Sequence, residues 1–188
     1  MASARVDVVP AGTGFAAQSA HVSLEYDRTG SGAPSTLFAK LSTTDPQVLA
    51  RFRTLGMYET EIGFYRDLPA DGPLRTPRAF TAQYEPESGH SLLLLEDIRH
   101  LRFGDNLGGV SLDDARAALV GLARHHAHYW NHAVLSTLGW LRTPAYDRTY
   151  LPALVRTLLT AFEARWAAVL PPATLAAARG FTAHMEPW

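Results

Sequence analysis

The chain of 188 residues contains no cysteine, which excludes disulfides, thiolate catalysis and cysteine zinc sites while leaving the compartment open. It also lacks a long apolar run. No stretch approaches the roughly 18 apolar residues of a membrane span, and the N-terminal segment is too short for a signal peptide. The net charge is −1, which gives no general attraction to nucleic acid or to an anionic membrane. We therefore expect a cytoplasmic protein that binds neither nucleic acid nor membrane.

Lysine is almost absent as well. Lys40 is the one lysine among 17 lysine and arginine residues, and it lies in the apolar run Leu37-Phe38-Ala39-Lys40-Leu41. An ammonium is a compact point charge on a flexible stem that can reach a phosphate oxygen and a carboxylate together. An unpaired charge on a buried strand is costly. We therefore expect Lys40 to have an acidic partner.

The first 97 residues predict an α+β arrangement. Strands are predicted at about residues 5–9, 20–26, 36–41, 78–84 and 91–95, between turns that contain glycine or proline. Apolar and polar residues alternate in 20–26, whereas 92–95 is a continuous apolar run. Between the third and fourth strands, Asp45 is a predicted N-cap and Pro46 the first helical residue of one helix that ends near Leu68. The sequence therefore predicts a five-stranded antiparallel sheet with one helix.

Beyond Asp97 the chain is predicted to be mostly helical. Ser111 is the predicted cap of a helix with Asp113 and Asp114 in its first turn. The face of this helix that is expected to be apolar consists of Leu112, Ala115, Leu119, Leu122, His126 and Trp130. Two further helices are expected over residues 150–170 and 173–185, separated by Pro171-Pro172.

Several motifs, taken in order, resemble those of the protein-kinase-like fold. In detail the chain resembles the aminoglycoside phosphotransferase, choline kinase and ecdysteroid-kinase-like family. The motifs are Gly12-Thr13-Gly14-Phe15, Leu37-Phe38-Ala39-Lys40, the helix glutamate Glu61, Leu93-Leu94-Leu95-Glu96-Asp97-Ile98, Gly104-Asp105 and the segment 122–130. The resemblance implies a kinase-like small lobe in residues 1–97, a hinge and connector in 98–110, and part of a helical large lobe in 111–188.

The resemblance also implies an ATP site. In this family the glycine turn brings backbone N–H groups to the phosphates, and the strand lysine, held by a helix glutamate, pairs the α- and β-phosphates. The implied nucleotide-binding residues are Gly12, Thr13, Gly14, Phe15, Lys40, Glu61, Glu96, Asp97 and Ile98, of which the last three cup the adenine. Glu61 is preferred as the partner of Lys40 because it lies close to the buried stripe of the helix. Glu59 remains the alternative.

The catalytic part of the family pattern is missing. These enzymes use a catalytic aspartate in a His-Gly-Asp-like loop, and an asparagine and a second aspartate that bind Mg²⁺. No such pattern follows residue 110, where the aspartates are Asp113, Asp114 and Asp147. We expect an N-terminal piece of a longer ATP-dependent kinase of small hydroxylated substrates, inactive alone, with its Mg²⁺ ligands beyond the end of this chain. The alternative is a non-catalytic nucleotide-binding or interaction module.

Four histidines, His125, His126, His128 and His132, form the other cluster that the sequence singles out. His128 and His132 are four residues apart and could share a helix face, as two zinc ligands would. A third ligand is not evident and no glutamate lies between them, so we predict packing and no metal site. Tyr129 and Trp130 are expected in the core. Uncovered apolar faces of the last two helices predict non-specific association.

Overall fold

The computed structural model describes residues 2–9, 16–28, 32–69, 71–102, 104, 108–141 and 150–183. The chain divides into two compact units, Met1–Leu141 and Arg142–Trp188. The first unit contains five strands, β1 Ser3–Val8, β2 Ala17–Glu25, β3 Thr36–Ser42, β4 Ala79–Tyr84 and β5 Ser91–Glu96. Its helices are α1 Pro46–Thr54, α2 Met57–Asp67 and α3 Leu112–Tyr129, followed by a 3-10 helix at Ala133–Thr137. The second unit contains α4 Tyr150–Trp166 and α5 Pro172–Ala183.

The strands form one antiparallel sheet in the order β1-β2-β3-β5-β4. The α+β class and the five-stranded antiparallel sheet predicted from the sequence are therefore confirmed. β3 lies in the centre, where Lys40 pairs with Ser19 of β2 and with Leu93 of β5. β1 is an edge strand whose six residues are all exposed. It contributes backbone pairing with β2 but no buried side chain.

The core of the first unit lies between α2 and one face of the sheet. Ile62 of α2 packs with Leu93 and Leu95 of β5, and these side chains are 1%, 2% and 6% exposed. Burying an aliphatic side chain of this size stabilises a fold by about 1.5–3 kcal/mol. Phe38 packs against the same cluster from β3. Because Lys40 lies two residues after Phe38, its side chain leaves the strand on the face that α2 covers.

The single helix predicted from Asp45 to Leu68 is wrong, because the structure has two helices there. The predicted start is confirmed: the Asp45 carboxylate accepts hydrogen bonds from the backbone N–H groups of Gln47 and Val48 at 2.8 and 3.1 Å. The helix then ends at Thr54, and Gly56 adopts φ 65°. A left-handed residue interrupts the ladder of hydrogen bonds, and glycine adopts this conformation without a Cβ clash. The apolar spacing continues across the break, so periodicity could not reveal it.

The apolar face predicted for α3 is also wrong, because it is exposed and another face packs. Leu112, Leu119 and Trp130 are 87%, 66% and 77% exposed. Trp130 is therefore not a core residue, whereas the neighbouring Tyr129 is buried. The side of the helix that includes His125 and Tyr129 contacts the rest of the unit, with the His125 ring near Phe64 of α2. The Ser111 cap is present as predicted, since its hydroxyl accepts from the backbone N–H of Asp114 at 3.1 Å.

The second unit is a pair of helices. Arg179 of α5 binds Glu163 of α4 through an Nε–Oε1 contact of 2.6 Å. Several large apolar side chains of the pair are exposed, among them Leu158, Phe162 and Phe181. No helix in the described ranges has both the length and the apolar character that crossing a membrane requires.

Candidate functional site

Lys40 and Glu61 form an ion pair at the centre of the first unit. Lys40 Nζ lies 2.5 Å from Glu61 Oε1. The side chains are 33% and 36% exposed, so the pair is shielded by protein on one side and open to solvent on the other. The strand fixes the position of the lysine and α2 fixes that of the carboxylate. Of the two glutamates that the sequence offers as partners, Glu61 is the one in contact.

The charge of Glu61 also affects the pKa of Tyr65, which lies one turn further along α2. Burial, and secondarily the Glu61 charge, raise the pKa of Tyr65 above its ordinary value of 10.0. Tyr65 packs at the edge of the Ile62, Leu93 and Leu95 cluster. On α2, apolar contact through Ile62 and Tyr65 therefore lies next to the acid that meets Lys40.

The register of the sheet brings Lys40 to the base of the loop between β1 and β2. The backbone N–H of Val9 donates to the carbonyl of Ser19 at 2.8 Å, and Ser19 pairs with Lys40. Val9, Ser19 and Lys40 therefore lie side by side across three strands. The predicted phosphate-binding residues Gly12, Thr13, Gly14 and Phe15 belong to this loop and lie outside the described residues.

An aromatic surface lies beside Lys40 on the same face of the sheet. His21 of β2 pairs with Phe38 of β3 in the strand register, and their ring centroids are 5.3 Å apart with an interplanar angle of 56°. The Nδ1 atom of His21 is buried and has no hydrogen-bond partner within the described ranges. A buried polar atom without a partner is uncommon, because desolvating it costs about 1–3 kcal/mol.

Of the three predicted hinge residues, Glu96 ends β5, and Asp97 and Ile98 directly follow the strand. The backbone N–H of Glu96 donates to the carbonyl of Arg78 at 2.7 Å, and the carbonyl of Ile98 accepts from Leu101 at 2.8 Å. The Glu96 carboxylate accepts from the backbone N–H of Arg78 at 3.2 Å. These hydrogen bonds fix the path of the chain where it leaves the sheet.

Asp97 is the most strongly held carboxylate of this segment. Its side chain is 6% exposed and accepts hydrogen bonds from the backbone and guanidinium of Arg99, the shortest at 2.6 Å. The side-chain hydrogen bond from Arg99, together with those from the Arg99 backbone and from Thr36, lowers the pKa of Asp97 to about 2. Thr36 begins β3, so Asp97 ties the end of β5 to the start of the strand that carries Lys40.

Comparison of this chain with protein-family models, with curated proteins and with solved structures gave no match. Function must therefore be inferred from the residues themselves.

A concave surface lies along α2, apart from the Lys40–Glu61 pair. It has a volume of about 620 Å³ and is lined by α2, α3 and the segment after α3. Phe64, Tyr129 and Leu138 contribute to its largely apolar wall. The Nδ1 atom of His125, which also lines it, is buried without a hydrogen-bond partner in the described part of the chain.

Trp140 closes one end of this concave surface. Its indole Nε1 donates to Asp67 Oδ2 at 2.7 Å, and its ring lies against Gly63. Hydrogen bonds from Arg66 first, and from Trp140, lower the pKa of Asp67. The segment after α3 is thereby fixed to the outer side of the helix that carries Glu61.

The four histidines of the cluster lie near one another and near Tyr129. The rings of His128 and His132 stack with centroids 5.8 Å apart, but His132 Nδ1 accepts a hydrogen bond from the backbone N–H of Val134 at 3.2 Å. Across the described ranges, no three histidine, aspartate or glutamate side chains are grouped so that they could hold a metal ion.

Sequence reasoning missed two residues that hold the candidate site in place. One is Tyr58 at the start of α2, whose hydroxyl bonds to Thr43 and Ala16. Trp140 was not singled out at all. The available signal was Gly63, since a glycine inside a helix on its buried side indicates close approach of another group.

Proposed function

We propose that this chain carries the nucleotide-binding part of an ATP-dependent small-molecule phosphotransferase of the protein-kinase-like fold. The family proposed is the aminoglycoside phosphotransferase, choline kinase and ecdysteroid-kinase-like group, which transfers a γ-phosphate to a substrate hydroxyl. The sheet and α2 correspond to its small lobe. The acceptor is proposed to be a small hydroxylated compound.

The observation that carries the proposal is the Lys40–Glu61 pair. The one ammonium of the chain lies on the central strand, beside the base of a glycine-bearing loop, and an acid from the helix holds it at 2.5 Å. An ammonium held this way is pre-organised to donate to phosphate oxygens, while its own partner prevents an uncompensated charge. We assign the α- and β-phosphates to Lys40 and to the backbone N–H groups of residues 12–15.

The surface next to Lys40 suits a purine base. His21 and Phe38 offer an aromatic and apolar face, and the chain leaves β5 through Glu96, Asp97 and Ile98 close to the start of β3. The carbonyl of Ile98 already accepts from Leu101, but a carbonyl oxygen keeps a second lone pair. We assign recognition of the base edge to the backbone of Asp97 and Ile98.

We assign no Mg²⁺ ligand among the described residues. They contain no cluster of acidic side chains or histidines suited to Mg²⁺, and no His-Gly-Asp motif follows residue 110. We therefore assign no step to magnesium here. The purified 188-residue chain is expected to bind nucleotide without transferring phosphate to an alcohol.

Isothermal titration of the chain with ATP and MgCl₂ tests the proposal. Lys40→Ala should weaken ATP binding by about tenfold, which corresponds to about 1.4 kcal/mol. Arg116→Ala is the matched control, because it removes a cation from an exposed ion pair with Asp113 on α3. Lys40→Arg keeps the positive charge but replaces the compact ammonium by a planar guanidinium. We expect this variant to bind ATP more weakly than the wild type. No ATP binding by the folded wild type, or equal affinity in Lys40→Ala, would contradict the proposal.

A second candidate function, a non-catalytic interaction module, is favoured by a different observation. The exposed apolar side chains of α3, with Leu112 and Leu119 at 87% and 66%, form a face of the kind that marks association surfaces. A chain that associates through this face and binds no ATP would support this alternative.

A further inference from the structure

We propose that Tyr58 is a positioning residue of the nucleotide site, an inference that rests on the proposed function. Tyr58 lies in the first turn of α2 and is 4% exposed. Its hydroxyl accepts a hydrogen bond from the backbone N–H of Thr43 at 3.1 Å and donates one to the carbonyl of Ala16. One oxygen atom therefore joins α2 to the residue after β3 and to the residue before β2.

The hydroxyl lies where the next backbone hydrogen bond between β2 and β3 would form. The last pair between β2 and β3 is Ala17 with Ser42, so Ala16 and Thr43 are the next two residues in the same register. In a continued antiparallel ladder the N–H of one would bond directly to the C=O of the other. Here the tyrosine hydroxyl lies between them. The two strand ends are consequently held apart by a spacer that belongs to α2.

Both partners of Tyr58 lie within three residues of the proposed phosphate site. Ala16 follows directly on the segment that contains Gly12–Phe15, and Thr43 lies three residues after Lys40. On α2, Tyr58 lies one turn before Glu61, which contacts Lys40. A displacement of α2 would therefore act on the lysine through Glu61 and on the exit of the loop through Tyr58.

Removing the hydroxyl changes the relative position of these parts. Without it, the N–H of Thr43 and the C=O of Ala16, on two half-buried residues, either stay apart without a protein partner, which is unfavourable, or close to form the missing hydrogen bond of the ladder. In the first case α2 no longer holds Ala16 and Thr43, and in the second case Ala16 moves relative to Lys40. The effect should fall on the phosphate end of a nucleotide, because the Tyr58 hydroxyl bonds to Ala16 and Thr43, whereas the His21 and Phe38 surface proposed for the base lies five residues further along β2 and β3.

The experiment compares ATP with adenosine as ligands of the Tyr58→Phe chain. We expect Tyr58→Phe to bind ATP about tenfold more weakly than the wild type and adenosine within about twofold, since tenfold corresponds to one lost interaction of about 1.4 kcal/mol. The matched control is Tyr26→Phe. It removes a hydroxyl that donates to the carbonyl of Pro34 at 2.8 Å at the opposite end of β2, and it should bind both ligands like the wild type.

The outcomes separate this inference from the proposed function. If ATP fails to bind the wild type, or Lys40→Ala leaves the affinity unchanged, the proposed function fails and this inference with it. If Lys40→Ala weakens binding but Tyr58→Phe binds ATP like the wild type, or loses ATP and adenosine equally, only this inference fails. Should Tyr58→Phe not fold, hydrogen exchange of the wild type decides. Saturating ATP should slow exchange of the Thr43 amide and adenosine should not, and unchanged exchange with ATP overturns the inference.

Discussion

Gly63 of α2 lies directly beneath the indole ring of Trp140, where a Cβ on residue 63 would be 2.5 Å from three ring carbons. Real side chains do not approach so closely, so this position requires glycine unless the tryptophan moves. The indole is held in turn by its 2.7 Å hydrogen bond to Asp67. The segment after α3 therefore contacts the helix that carries Glu61 at a site with little tolerance.

Gly63→Ala should destabilise the first unit. Alanine favours a helix by about 1 kcal/mol over glycine, but overpacking against Trp140 should cost more, for a net loss of about 1–3 kcal/mol. Urea unfolding followed by circular dichroism measures the change. Gly180→Ala is the control, because Gly180 is also helical and a Cβ there would meet nothing within 4 Å. A Gly63→Ala chain as stable as the wild type would show that Trp140 can leave α2 freely.

Asp97→Asn should remove a pH-dependent part of the stability. Hydrogen bonds from Arg99 hold the pKa of Asp97 at about 2 in the folded chain, against about 3.9 in an unfolded one. A lowered folded pKa stabilises the fold above about pH 4, and this contribution disappears as the pH falls through about 2. At pH 7 the substitution should cost about 1.5–3 kcal/mol, typical of hydrogen bonds to a charged group.

Unfolding midpoints between pH 7 and about pH 2 measure this difference. The gap between wild type and Asp97→Asn should narrow as the solution is acidified below about pH 4. Asp113→Asn serves as the control, since the Asp113 side chain is 95% exposed. A gap that stays constant over the whole pH range would mean that the Asp97 charge does not contribute.

Leu119→Glu should increase the monomer fraction of the purified chain. Leu119 is 66% exposed on the apolar face of α3, and a charge there opposes association through apolar contact. Sedimentation velocity over a concentration series measures the fraction. Ala117→Glu adds the same charge at an exposed position roughly on the opposite side of the helix, and should leave the fraction near that of the wild type. Equal effects of both variants would point to net charge instead of this face.

The local pattern of the sequence was sufficient for the sheet and the helix starts. Short apolar or alternating stretches between turn residues located all five strands to within three residues, and the capping roles of Asp45 and Ser111 were evident from residue type and position. The proximity of Lys40 to Glu61 could also be anticipated, because a buried strand lysine needs an acid and α2 offers Glu61 on its inner side.

The features that the sequence did not predict depend on contacts between residues that are far apart in the chain. The hydroxyl of Tyr58 meets Ala16 across 42 residues and the indole of Trp140 meets Asp67 across 73, and no spacing rule connects such pairs. For α3, the pattern identified apolar residues but not which side meets the rest of the unit. The break at Gly56 was hidden because the apolar stripe continues on both sides of it.

β1 has a consequence for how variants of this chain should be screened. The strand directly precedes the segment that contains Gly12 and Gly14, yet none of its side chains is buried. A substitution in β1 that distorts this segment would therefore leave the core of Ile62, Leu93 and Leu95 intact. Melting temperature would hardly register such damage, so a stability screen would pass chains that have lost the proposed ligand. Ligand binding has to be measured directly for every change in residues 3–8.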